Sequence, residues 1–211
     1  MLLSQSTMIR SHAKSLSILL LLTTLCVLPS LSFSQDVLTY HNNNARTGLD
    51  DKESILTLTN VNEATFGKLF TVTVDGLVDA EPLYLSAVTI AGVSHNVLIV
   101  VTENDSVYAF DADTGASLWK VSTLLSGEVP SDDRGCDQVT PKIGITSTPV
   151  IVRPKNFDPV IYAVAMSKDS SGNYYQRLHA LDATSGTELH GGPVVITGHI
   201  PAPATTATAQ T

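Results

Sequence analysis

The chain has 211 residues, 43% of them hydrophobic and 15% charged, and a formal net charge of −8. Its length allows a sizeable core, and its acid excess disfavours nucleic acid and anionic membrane surfaces as partners. Two cysteines are too few for a disulfide framework or a multi-cysteine metal site.

The first 34 residues have the pattern of a secretory signal peptide. Arg10 and Lys14 precede an apolar run over 18–28, and "PSLSFSQ" follows with Ser32 and Ser34 as small residues before a cleavage point. The run is short for a bilayer span, which takes about 20 apolar residues. Removing 1–34 takes two bases and no acid, leaving ten basic against 20 acidic side chains. The expected location is secreted or periplasmic, and Cys136 is the one mature cysteine.

Residues 35–66, including "TYHNNNARTGLDDKES", are polar and turn-rich and read as an entry segment. From 67 to 197 the apolar residues come in short bursts rich in Val, Ile, Thr, Tyr and Leu, separated by Gly, Asn, Asp, Ser and Pro. Strands are expected at 68–74, 81–90, 96–102, 106–112, 117–123, 148–153, 160–167, 176–183 and 192–197. With no helical periodicity between them, the fold class is all-β and antiparallel.

Within these strands lies an internal repeat. "VYAFDADTGASLW" (107–119) aligns with "LHALDATSGTELH" (178–190), pairing Ala109 with Ala180, Asp111 with Asp182, Thr114 with Ser185 and Gly115 with Gly186. Each copy follows two further strands, so one unit is a four-stranded sheet. In the first copy Asp111 is expected to accept backbone N–H groups across the turn, Thr114 to add its hydroxyl, and Gly115 to take the left-handed conformation. Trp119 on the returning strand then offers a large apolar face to a neighbouring sheet. A calcium loop is a poorer reading of Asp111, Asp113 and Gly115, because the glycine and the twelfth residue do not match an EF-hand.

The pattern Ala109-x-Asp111-x-x-Thr114-Gly115-x-x-x-Trp119 resembles the tryptophan-docking motif of PQQ-like β-propellers, a repeat of quinoprotein alcohol dehydrogenases and of BamB-like outer-membrane assembly proteins. "TYHNNNARTG" and "NVNEATFGKLFTV" resemble that family's entry segment. The resemblance covers most of 37–195 and implies a partial propeller of four-stranded antiparallel blades in which Trp119 packs between blades. The second copy departs from the motif, with His190 in place of the aromatic residue.

The repeats stand 71 residues apart, Ala109 to Ala180, beyond the roughly 40–50 residues of a plain blade. The excess is the Gly/Pro/Asp-rich stretch 124–146, expected to be a loop insertion with little strand character. Its Glu128, Asp132, Asp133, Arg134, Cys136 and Asp137 are the candidate interaction residues, and replacing 126–142 by a short linker is expected to leave the fold intact. Residues 198–211 are a low-complexity Pro/Ala/Thr tail.

Catalytic patterns are sparse. His41, His95, His179, His190 and His199 make no metal-binding pair, and there is no nucleophile elbow, P-loop or dinucleotide fingerprint. The resemblance would place PQQ over an adjacent-cysteine ring, and this chain has no adjacent cysteines. Thr146 and Thr148, in "GITSTPVIV", are the candidates for a cofactor contact. The expected function is therefore a secreted, non-catalytic binding or scaffold module without a cofactor, meeting a protein or other extracytoplasmic ligand. A truncated quinoprotein oxidoreductase and a BamB-type envelope assembly factor are the alternatives.

Overall fold

A computed structural model describes residues 35–135 and 137–198. The proposed signal peptide, Cys136 and the tail from 199 onward lie outside the described residues.

Ten strands and no helix make up the described chain: β1 Leu83–Ile90, β2 Val93–Val101, β3 Ser106–Asp111, β4 Ser117–Ser122, β5 Glu128–Asp132, β6 Lys142–Ile143, β7 Val150–Val152, β8 Val160–Asp169, β9 Tyr174–Asp182 and β10 Val194–Val195. The first sheet has four strands in the order β1-β2-β3-β4, each antiparallel to the next. This is the four-stranded unit that the first repeat predicts. A bulge at Ser86–Ala87 interrupts β1, where Ala87 has φ +48°. Asp36 accepts from Ser86 and from Arg153 there, tying the entry segment to both sheets.

The second sheet has six strands where the repeat predicts four. Its order is β10-β9-β8-β5-β6, with β7 also on β8. Strand β8 is long enough to carry two partners on one edge: β7 pairs with its start, Val160–Tyr162, and β5 with its end, Ser167–Asp169. The insertion, expected to have little strand character, therefore supplies β5 and β6. The physical reason is that β8 offers more backbone edge than the three-residue β7 can fill, and unpaired edge donors and acceptors favour another strand.

The two sheets share one core. Leu83, Leu85, Val97, Ile99, Val107 and Ala109 of the first sheet meet Ile151, Ile161, Ala163, Ala165 and Leu181 of the second, all almost fully buried. The other face of the first sheet is a second, smaller cluster of Val100, Tyr108 and Phe110, covered by Val72 and Val74. Those two valines belong to 68–74, which alternates like a strand but forms none; among the described strands it has no ladder partner.

Candidate functional site

In the first repeat, Oδ1 of Asp111 accepts the Thr114 N–H at 2.8 Å, the Thr114 hydroxyl at 2.7 Å and the Asp113 N–H at 3.1 Å. Its other oxygen meets His95 Nδ1 at 2.7 Å. His95 and these donors hold the Asp111 carboxyl down at about 2. Gly115 has φ +77° and donates to the Asp111 carbonyl. Both Asp111 carboxylate oxygens are therefore occupied, one by the turn itself and the other by His95 of β2. In the second repeat Asp182 accepts from Thr184, both N–H and hydroxyl, while the Ser185 hydroxyl bonds Thr187 instead. The sequence alignment put Ser185 in the role of Thr114, but the hydroxyl one position earlier reaches the carboxylate.

Trp119 is partly buried and packs against the second sheet. Its indole N–H donates to the Ala183 carbonyl at 3.1 Å. A Cβ placed on Gly186, at φ +72°, would stand 2.9 Å from the indole and 2.7 Å from Val121. One repeat thus lays its tryptophan on the turn of the next, and only glycine admits so close an approach. The same contact occurs once more: a Cβ on Gly115 would stand 2.8 Å from the Phe70 ring. Leu69-Phe70-Thr71-Val72 matches Leu118-Trp119-Lys120-Val121 in pattern, a signal available in the sequence and hidden by the change of aromatic.

The insertion brings together a polar seam that no motif announced. Its returning arm lies against the loop between β2 and β3, where Gly144 N–H and the Thr146 hydroxyl both donate to Oε2 of Glu103, at 2.7 and 2.9 Å. A side chain at Gly144 would collide with the Glu103 backbone at 2.7 Å. Lys142 donates to Asn104 at 2.8 Å. Thr148 is elsewhere, accepting the Glu81 N–H at 2.9 Å. The two candidate cofactor threonines therefore serve different anchors: Thr146 holds Glu103, and Thr148 holds the start of the first sheet.

Glu103 and Asp105 are 2% and 0% exposed. Glu103 Oε1 and both carboxylate oxygens of Asp105 have no hydrogen-bond partner in the protein. Burial, then the charges of Glu103 and Glu128, push Asp105 up to about 8, with Lys142 pulling the other way. Burial and the neighbouring Asp79 also raise Glu103. An isolated buried carboxylate is costly, and taking up a proton removes that cost. Asp105 accordingly holds its proton near neutrality. Beside Glu103 opens a cleft of about 290 Å³ reaching Asp75, Leu77 and Pro141.

The outward arm of the insertion is anchored as well. Glu128 on β5 forms a two-pronged pair with Arg177 on β9, at 2.6 and 2.8 Å, and both side chains are more than nine-tenths buried. Ser167 joins it at 2.8 Å. Asp132 binds Lys168 at 2.7 Å and the Tyr174 hydroxyl at 2.9 Å, and Arg134 lies over the Tyr174 ring at 4.0 Å. Of the candidate interaction residues, Glu128, Asp132 and Arg134 are thus fastened to the second sheet. Asp133 is half-buried, with Oδ1 accepting the Gly135 N–H, and Asp137 is exposed at the loop tip.

Among the described residues, no three His, Cys, Asp or Glu side chains converge as a metal-ligand set, and no helix is long and apolar enough to cross a membrane. Comparison with protein-family models, with curated proteins and with solved structures finds no match for this chain.

Proposed function

We propose that this chain is a secreted PQQ-like propeller repeat protein that acts as a non-catalytic binding or scaffold module. The observation that carries the reading is the repeated docking contact, Phe70 on the Gly115 turn and Trp119 on the Gly186 turn. Two successive sheets related in this way are what a stack of blades requires, and aromatic side chains wedged against glycine turns set the sheet-to-sheet spacing. Fold alone says little about chemistry. Support for binding over oxidoreductase chemistry comes from Thr146 and Thr148, whose hydroxyls are engaged in holding backbone and Glu103.

The surface offered to an extracytoplasmic partner is the tip of the insertion around Asp133 and Asp137, on a base fixed by the Glu128–Arg177 pair. Titration of the purified protein with PQQ, with and without calcium, tests the reading. No change in the quinone absorbance and no alcohol-dependent dye reduction are expected. Stoichiometric quinone binding with turnover would establish the oxidoreductase instead.

A further inference from the structure

The seam where the insertion arm meets the β2–β3 loop holds more acid than base. Asp75, Asp79, Glu103, Asp105 and Glu128 act on one another or on their neighbours there, against Lys120, Lys142 and Arg177. Each base is already committed. Lys120 donates to Asp75 at 2.8 Å, Lys142 to the Asn104 amide oxygen at 2.8 Å, and Arg177 grips Glu128 with both arms. Asp75 is saturated besides, since Thr102, Asn104 and Ser106 also donate to it. Glu103 and Asp105 are left without a paired base.

Asp105 is sealed from solvent and sheds its charge by holding a proton. Glu103 is placed differently. It lines the cleft of about 290 Å³ together with Gly76, Leu77, Pro141 and Lys142. Its Oε2 is turned to the Gly144 N–H and the Thr146 hydroxyl, while its Oε1 is buried without a donor. Asp79, itself exposed, stands within hydrogen-bonding reach of the Glu103 carboxyl. Two acids in contact, one of them buried with a bare oxygen, make an acceptor pair that a positively charged donor completes.

We infer that this cleft binds a small primary alkylammonium ion, whose N–H groups bridge Asp79 and Glu103 and whose hydrocarbon part lies against Leu77 and Pro141. A metal ion fits the groups less well. Among the described residues no three His, Cys, Asp or Glu side chains converge, whereas a calcium ion takes about six to eight oxygens. An ammonium group has three N–H donors to place, and the bare Oε1 and Asp79 take up two of them. The walls Leu77 and Pro141 offer apolar surface that a short alkyl chain buries and a metal ion does not use. Ligand pockets run from about 300 to 1,000 Å³, so a cleft of about 290 Å³ takes a compact ligand. A proton is the natural competitor, because burial and Asp79 push Glu103 up. The inference draws on neither the docking contact between sheets nor the insertion tip, so it stands or falls separately from the proposed function.

The test titrates the purified protein with n-butylammonium chloride at constant ionic strength and follows the Gly144 amide, which donates to Glu103, by NMR. At about pH 8 its chemical shift is expected to move saturably while that of the Gly115 turn stays still. At about pH 5 the midpoint should rise about tenfold or more, because a proton replaces the cation on Glu103 while the alkylammonium, which titrates near 10, keeps its charge. Asp79→Asn is the chosen variant, since Glu103 also holds Gly144 and Thr146 in place. It should weaken binding about tenfold, and Lys142→Gln, which takes a like charge out of the cleft, should tighten it. Absence of a saturable Gly144 shift at about pH 8 overturns the inference. So does an equal response to n-butanol, which would make the cleft a hydrocarbon site, or displacement of the amine by calcium chloride, which would make it a metal site. Binding that ignores both pH and Asp79→Asn, or that Lys142→Gln weakens, overturns it too, because the acid pair would then not be what holds the ligand.

Discussion

Asp105 carries the clearest solution signature of any single residue. Its carboxyl titrates near pH 4 in an unfolded chain and is pushed up to about 8 in the folded protein, first by burial and then by Glu103 and Glu128. Between those values the folded state binds the extra proton, so stability falls as pH rises from about 4 to 8. The thermal midpoint is expected to drop across that range, and Asp105→Asn, which keeps the shape without the charge, should flatten the drop and raise the midpoint at pH 9. A midpoint that rises over the same range in the parent chain would contradict the assignment. At the acid end the sign reverses: Asp111 and Asp169 are held down at about 2, by His95 and Asn173 first among their partners, and stability that they supply is lost below pH 4. The turn chemistry of Asp111 was legible in the sequence because an Asx turn is local. Asp105 was not, because its burial depends on the insertion arm landing on the β2–β3 loop some 40 residues before it in the chain.

At the scale of elements, the sheet-to-sheet contact is concentrated in Trp119 and the turn beneath it. Trp119→Ala removes the indole packing and the bond to Ala183, and because the ring is half-buried the expected loss is about 2–3 kcal/mol, below the 3–5 of a fully buried aromatic. His190→Ala touches an exposed side chain and should change stability by no more than about 0.5 kcal/mol. Denaturant titration of the two variants separates them, and equal losses would show that the tryptophan does not dock. The segment 68–74 shows the converse limit of sequence patterning. Its alternation is genuine, and Val72 and Val74 do face apolar Tyr108 and Phe110, but a strand needs a backbone partner that alternation cannot specify.

At the scale of the whole molecule, the insertion is part of the second sheet rather than an appendage. Exchanging 126–142 for a short Gly/Ser linker removes β5 and Glu128 and leaves Arg177 buried without its carboxylate. Stranding one partner of a buried ion pair costs about 3–5 kcal/mol, so the deletion is expected to lower the thermal midpoint clearly, against the expectation from sequence that the fold would be unaffected. Adding Arg177→Met to the deletion should recover part of the loss; no recovery would mean that the pair is not what the insertion contributes. The sequence by itself determined the all-β class, the first four-stranded unit and the two glycine turns, because strand alternation and turn chemistry act between residues close in the chain. Only the tertiary structure decided that β8 has edge to spare, that the insertion fills it, and that Glu103, Asp105 and Glu128 are gathered out of water, because pairing and burial are set by which distant segments meet.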